Sequence, residues 1–415
     1  MRASVITLGC KVNEYESQSI LNQLKSEGYE IAEGYGFADL YVVNTCAVTN
    51  TAEKKSRQVI GKLIKINPEA KILVCGCAVE NNPTQFLTHE NVFALTGNYG
   101  KNEIIKFIKT ENKQLTKLES TVYEDMARPI ETKTRQFIKI QDGCNNFCSY
   151  CLIPYLRGRS RSRDMSDILD EIKHTKANEI VLTGIDMSDY RINGEKALKT
   201  LVKEVDKLNK RFRISSIECL ALDDEMIEIL SNCKNFCPHL HLSLQSANNE
   251  TLKRMNRHYS IETFKSIVKK LKQKFSLPFI ATDIIVGFKG ETDAEFANAV
   301  ENLKEIEFSS MHIFPYSERS GTVASKLKGD VDKCTVKNRE AQLQSLNSEF
   351  KTKFLTSNIG TEHKVLIEEN VDGVSLGYTE NYIYSYIQGE HKIGDIVAVK
   401  LTELFKDGMK AEILN

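Results

Sequence analysis

Short apolar runs of strand length, separated by longer stretches with helical spacing, recur along most of this chain. Near the amino terminus, Ser4 to Leu8, Leu40 to Val43 and Lys71 to Val74 alternate with polar, helix-compatible segments and predict a small parallel α/β sheet. Thr49 or Thr51 is placed to cap the helix after the second run, whose body AEKKSRQVIGKLIKI carries Val59, Leu63 and Ile66 as an apolar stripe and stops before Pro68. From about Thr110 to Thr134 the chain turns polar and reads as a linker. Six further runs then follow: Phe137–Ile140, Glu179–Leu182, Ile214–Cys219, Leu240–Leu244, Phe279–Val286 and Ser310–Phe314. Asp164–Lys176, Glu195–Lys210, Asn248–Lys272 and Thr292–Ile306 lie between them with helical composition. Strand and helix alternating six times predict an open, barrel-like parallel sheet with its site at the strand carboxyl ends. After a long helical stretch ending near Leu355, the runs HKVLIEE, YIYSYIQ, DIVAVKLTEL and MKAEIL predict a small antiparallel barrel. The expected class is α/β, with domains at 1–112, 135–353 and 358–415 and a linker at 113–134.

Composition narrows the class. Lysine plus arginine and aspartate plus glutamate each number 56, for a formal net charge of zero, and 41% of residues are hydrophobic. That describes a globular protein whose contacts with any polyanion are local. No apolar run reaches the length of a membrane span and the first residues lack a signal-peptide pattern, so a cytoplasmic protein without membrane contact is expected. In the reducing cytosol, eleven cysteines point to metal ligation for the clustered ones.

The tightest cluster is Cys144, Cys148 and Cys151, on a Gly/Asn-rich loop after a β-branched run. Three thiolates within eight residues suit one soft metal centre, and no fourth Cys or His lies near to close a zinc tetrahedron. The count favours an iron–sulfur cluster with one iron open to a small chelating ligand. Cys10, Cys46 and Cys77 each lie just past a predicted strand, where open α/β sheets gather ligands, and form a second candidate set. Cys75 falls inside the strand and reads as a small buried hydrophobe. Cys233 and Cys237 have no third partner at short range and are assigned to packing.

Thr183, Gly184, Ser243, Gln245 and Asp283 stand at strand ends as candidates for holding a nucleoside-like cofactor. Arg157, Arg159, Arg161 and Arg163 alternate after the cysteine loop; an extended backbone would line them up as a phosphate-binding stripe. In the last domain Tyr378, Tyr382, Tyr384 and Tyr386 are candidates for stacking on unpaired bases. From Ser357 onward five lysines face ten acidic residues, a charge of −5 that argues for base stacking over phosphate gripping there.

The spacing C-x-x-x-C-x-aromatic-x-C, with Tyr150 before the last cysteine, resembles the signature of radical S-adenosylmethionine enzymes. TLGCKVNEYES, NTCAVTNTAEKKSRQ and VCGCAVE resemble the amino-terminal domain of the methylthiotransferase family within them; IVLTGID, HLHLSLQSANNETLKRMNRHYS, TDIIVGFKGETDAEF and HIFPYSERSGT resemble its core strands; GYTENYI resembles its TRAM RNA-binding domain. The resemblance spans all three domains in the family's order. It implies two 4Fe-4S clusters, one on Cys144, Cys148 and Cys151 that cleaves S-adenosylmethionine, bound beside Tyr150, and an auxiliary one on Cys10, Cys46 and Cys77 that presents sulfur. It also implies tRNA as substrate, an electron donor such as flavodoxin or ferredoxin, and a sulfur donor. TLGCKVN, NTCAVT, IQDGCNNFC and HLHLSLQS look closest to the branch that acts on N6-threonylcarbamoyladenosine at position 37 of tRNA. The alternatives are isopentenyladenosine at the same position, an aspartate of a ribosomal protein, or, outside enzymes, a zinc-bearing nucleic-acid-binding protein. Two residues depart from the family pattern: Ala247 replaces the usual Gly and Lys289 the usual Pro, both in turns whose geometry they put in question.

Overall fold

The computed structural model describes residues 1–111, 113, 122–130 and 134–414, so much of the expected linker lies outside the described residues. Its described part is packed: Glu124 accepts from the backbone N–H groups of Gly100 and Asn102, and Arg128 pairs with Asp170.

The amino-terminal strands are β1 (Arg2–Thr7), β2 (Glu30–Ile31), β3 (Leu40–Thr45), β4 (Lys71–Gly76) and β5 (Val92–Leu95), in the parallel order β2-β1-β3-β4-β5. Sequence reading finds the three central strands and misses the edges, because β2 has two residues and β5 four. Helices α1 (Lys11–Ser26), α2 (Asn50–Ile66) and α3 (Cys77–Asn81) follow β1, β3 and β4. Thr49, not Thr51, caps α2 by accepting from the Ala52 N–H. Val59 and Leu63 bury the helix against one face of the sheet. Cys75 and Leu73 pack into the apolar layer on the other face.

The central sheet has six parallel strands: β6 (Arg135–Lys139), β7 (Glu179–Thr183), β8 (Arg211–Ile214), β9 (His239–Gln245), β10 (Phe279–Val286) and β11 (Ser310–Pro315). β6, β7 and β8 pair in that order, as do β9, β10 and β11; isolated bridges Phe212–Phe236 and Ile217–Leu242 join the two halves. One expected run shifts. Only Ile214 of Ile214–Cys219 is in a strand, and Cys219 sits in a 3-10 turn. The strand stops where Ser215 turns its hydroxyl inward to Thr183 at 3.3 Å. The helical stretch Asn248–Lys272 divides into Asn249–Arg254 and Ile261–Lys274, the second capped by Ser260. At the two departures from family pattern the turns are held by local pairs: the Lys289 ammonium reaches Glu318 at 2.6 Å and Asp330, and the Ala247 carbonyl accepts from Asn302 at 2.7 Å.

The last five strands are β12 (Glu362–Val371), β13 (Val374–Tyr378), β14 (Tyr384–Gln388), β15 (Ile396–Phe405) and β16 (Gly408–Ile413), closed in the order β12-β13-β14-β16-β15. The expected antiparallel barrel of four runs needs two corrections: β13 adds a fifth strand, and β14 and β16 run parallel, which is how the circuit closes. The barrel docks on the amino ends of the central strands. Arg211 donates to the carbonyls of Lys364 and Tyr378, and Arg213 to those of Thr379 and Glu380. The fully buried Glu179 holds Arg135, Arg211 and Arg213 together beneath this contact. Among the described residues no helix is long and apolar enough to cross a membrane.

Candidate active site

Cys10 caps the start of α1, Cys46 follows β3, and Cys77 opens α3, so three parallel strands deliver three thiols to one edge of the sheet. The approach is close. Gly9 has φ +104°, and a Cβ there would lie 2.7 Å from the Cys46 Cβ and 2.8 Å from its sulfur, so only glycine fits. Cys75 is fully buried inside β4, whereas Cys77 faces a cavity. Burial pushes the Cys46 thiol up to about 11 and raises that of Cys10, so a metal centre there must displace protons on binding.

The second set leaves β6 on a loop that turns at Gly143 (φ +74°), where a Cβ would strike the Arg159 carbonyl at 2.1 Å. Burial pushes Cys151 up to about 12 and raises Cys144. Arg257 donates to the Cys148 sulfur at 3.2 Å and pairs with Glu218. Asn146 donates to Asp186 Oδ2 at 3.0 Å, leaving the buried Oδ1 without a partner. These groups wall a cavity of about 260 Å³ with Cys148, Ser188 and Tyr259. An unpartnered carboxylate oxygen beside Cys144 and Cys148 fits a ligand that brings an amine to an open iron. Within neither set, nor elsewhere among the described residues, do three His, Cys, Asp or Glu side chains converge as ligands of a single ion do. A cuboidal cluster assigns each thiolate its own iron, so neighbouring but unconverged thiols suit it.

Arg157 joins the two sets. It is fully buried, and its guanidinium donates to Glu16 Oε1 at 2.9 Å, Asp142 Oδ1 at 3.0 Å and Asn13 Oδ1 at 2.7 Å. Asn13 in turn donates to the carbonyls of Leu8 and Thr45, beside Cys10 and Cys46. Lys101 and Lys139 complete the network on Glu16, which they and Arg157 hold well below the usual carboxylate range despite its burial. A parallel link runs from the Cys77 thiol to Asn98 at 3.3 Å and from Asn98 to the Leu156 carbonyl at 2.9 Å.

The arginine stripe is therefore corrected. Arg157 and Arg161 are buried on Asp142, and Arg163 is buried on Glu171. The segment is not extended: Ile153–Leu156 is helical and Gly158 has φ +74°, so the period of two does not line up the side chains. Arg159 alone is exposed, over the Phe147 ring at 4.4 Å. We expect Arg159→Ala to lower the salt slope of any polyanion binding by about one at most, measured as log affinity against log salt. Replacing the other three should instead lower stability.

The larger cavity, about 850 Å³, follows the inner face of the half-barrel. Because six strands do not close, this face is covered by the other two units. Cys10, Cys46 and Cys77 line one end with Thr183 and Gly184 at strand carboxyl ends; Tyr378 and Tyr382 line the other, near His239 and Phe279 at strand amino ends. The expected wall is thus split. Thr183, Gly184 and Asp283 line this cavity, while Ser243, Gln245 and Tyr150 line neither. A register shift between Leu242 and Gln245 re-aims that strand end, and the Tyr150 ring turns edge-on to Phe288 at 6.4 Å. Tyr382 is also corrected as a base platform: His239 stacks on it at 3.9 Å and Tyr378 at 4.6 Å, and two rings cannot share one face. Asp186, Glu218 and Arg257 were missed. Asp186 lies two residues past Gly184, and Arg257 lies within HLHLSLQSANNETLKRMNRHYS, both in motifs already singled out; Glu218 has no local signal and meets Arg257 only through the fold.

Residues 138–303 match the model of the Radical SAM superfamily and residues 2–97 that of uncharacterized protein family UPF0004. The solved structure of the radical S-adenosylmethionine methyltransferase TsrM from Kitasatospora setae superposes with TM-score 0.55 at 13% identity, over 76% of this chain and 74% of that one, a likeness of fold. A half-barrel with a three-cysteine loop at its strand ends is thus a radical S-adenosylmethionine protein. Full-length relatives narrow the class. Threonylcarbamoyladenosine tRNA methylthiotransferase MtaB of Bacillus subtilis (strain 168) is 38% identical over 95% of this chain and 92% of its own. The tRNA-2-methylthio-N(6)-dimethylallyladenosine synthase of Clostridium novyi (strain NT) is 33% identical over 100% of this chain and 96% of its own. The chain belongs to the tRNA methylthiotransferase family.

Proposed function

We propose that this chain is a radical S-adenosylmethionine methylthiotransferase that adds a methylthio group to C2 of N6-threonylcarbamoyladenosine at position 37 of tRNA. One observation carries the reading: two three-cysteine sets, bound to each other through the buried Arg157, stand beside a cavity whose far end is walled by the carboxyl-terminal barrel. Cys144, Cys148 and Cys151 would hold one 4Fe-4S cluster with S-adenosylmethionine, and Cys10, Cys46 and Cys77 the other. When bound, these groups supply a 5′-deoxyadenosyl radical and a transferable sulfur. The chain's own residues fix the geometry: Arg157 and Asn13 lock the two loops in register, and Asp186 and Glu218 present carboxylates where a ligand amine arrives.

The named relatives are tRNA enzymes, which favours a nucleoside over a ribosomal-protein aspartate, and five of those compared carry the threonylcarbamoyladenosine name. The reaction calls for an electron donor such as flavodoxin or ferredoxin and for a sulfur donor. The cytosol, which holds tRNA and keeps thiols reduced, is the matching compartment. Anaerobic reconstitution should yield about eight irons per chain. The reconstituted protein should then methylthiolate tRNA bearing threonylcarbamoyladenosine and leave isopentenyladenosine tRNA unchanged. The reverse preference would reassign the substrate, and stoichiometric zinc without iron would remove the enzyme reading.

A further inference from the structure

The larger cavity contains positive charge that no described residue pairs with. Lys11, the first residue of α1, and Lys351, on the helix Lys333–Ser357, both line it, and no hydrogen bond or ion pair engages either ammonium among the described residues. The carboxylates that share this wall are already taken: Asp283 sits 3.3 Å from His241 Nε2, and Asp407 accepts from the Tyr386 hydroxyl. Burial and the neighbouring His241 favour the neutral form of the His312 imidazole, and both lysines act on it in the same direction. Deeper in the cavity His239 is 8% exposed and its Nδ1 has no hydrogen-bond partner, although its ring is fixed against Tyr382. Lys11, Lys351 and His312 are all exposed along this cavity, so their charge is free to meet an incoming anion, and the buried Nδ1 of His239 is the nitrogen among these groups whose lack of a partner is costly.

The requirements for that anion are specific. It must be small enough to enter beside Cys10 and planar or forked enough to meet two cations and an imidazole. Resting on the functional reading above, we propose that Lys11, Lys351 and His312 form a carboxylate subsite that receives the threonyl carboxylate of the N6 substituent. The subsite separates this nucleoside from its isopentenyl counterpart, which carries no charge. Discrimination of this kind follows from charge: the carboxylate gains ammonium partners in the cavity, and the uncharged substituent gains none. Lys11 also adjoins Cys10, so binding the carboxylate there brings the adenine ring of the same nucleoside toward the auxiliary set.

The test uses the full chain and one tRNA in three forms: with threonylcarbamoyladenosine, with its threonyl methyl ester, and with unmodified adenosine at position 37. Lys11→Gln and, separately, Lys351→Gln are compared with wild type in turnover and in equilibrium binding without S-adenosylmethionine. Each variant should weaken affinity and raise KM for the threonylcarbamoyladenosine form about tenfold or more, with kcat little changed, and should bind the ester and unmodified forms as wild type does. Lys11→Arg should restore most of the affinity. Lys351 lies far in sequence from all six cysteines, so its variant reads the subsite even if Lys11→Gln disturbs the neighbouring Cys10. Unchanged KM in both variants overturns the subsite, and so does an equal loss for unmodified tRNA, which would mean a backbone phosphate fills it. Wild-type protein that fails to modify threonylcarbamoyladenosine overturns the functional reading itself, a result separate from either.

Discussion

With Cys10, Cys46 and Cys77 all replaced by Ala, the reconstituted protein should hold about four irons instead of about eight, still release 5′-deoxyadenosine, and make no methylthio product. The expectation follows from how the two sets are built. Cys10, Cys46 and Cys77 hang on strand ends of the amino-terminal sheet, while Cys144, Cys148 and Cys151 hang on the loop after β6, so loss of one set removes no ligand from the other. Arg157 remains in place in this variant, because its partners Glu16, Asp142 and Asn13 are untouched. Replacing Cys144, Cys148 and Cys151 should do the reverse and abolish 5′-deoxyadenosine. Cys75→Ala is the control: this thiol is packed in the sheet interior with Leu73, and its loss should leave iron content and product formation intact. Loss of all iron in either triple variant would mean that the sites are not independent.

Glu16→Gln should destabilise the folded chain by about 3–5 kcal/mol, the usual cost of removing one partner from a buried ion pair. Glu16 accepts from Lys101, Lys139 and Arg157, and all four side chains are at most 2% exposed. The amide leaves Lys101 without its carboxylate and Lys139 and Arg157 with Asp142 alone for compensation. Because α1 supplies Glu16 while Lys139 and Arg157 belong to the central unit, the damage falls on the contact between units. Thermal unfolding followed at two probes, one per unit, should show separated transitions in the variant. The pH dependence has a definite sign. Glu16 and Asp142 are held below the usual carboxylate values by these cations, so their contribution is complete above about pH 4 and is lost only as pH falls through the depressed values. Wild type should therefore keep its units docked at pH 5, and Glu16→Gln should already be loosened there. A single unshifted transition would return Glu16 to a dispensable role.

Local signals made much of this molecule legible. Most of the longer strands announce themselves by apolar runs, although Val374–Tyr378, with Ser375 and Gly377 inside it, does not, and cysteines just past those runs mark where parallel strands present ligands. Cys10, Cys46, Cys77 and the tight triplet were readable for that reason. The arginines were misread because the sequence shows four basic residues at a period of two but hides the partners. Glu16 lies over a hundred residues from Arg157, and Asp142 is one of many acidic residues until the Gly143 turn brings the loop back. Tyr382 was misread in the same way: an aromatic in a basic-poor barrel looks free for a base until His239 of β9 is found on its face. Glu218 with Arg257, and Lys11 with Lys351, are pairings that only tertiary structure creates.

The most direct measurement is mass spectrometry of nucleosides from the tRNA of cells lacking this chain, with and without the gene restored. The 2-methylthio derivative of N6-threonylcarbamoyladenosine should vanish, its unmethylthiolated precursor should accumulate, and restoring the wild-type gene, but not the Cys10, Cys46 and Cys77 triple variant, should bring the product back. Persistence of that derivative, with loss of the isopentenyladenosine product or of no methylthio nucleoside at all, would contradict this account.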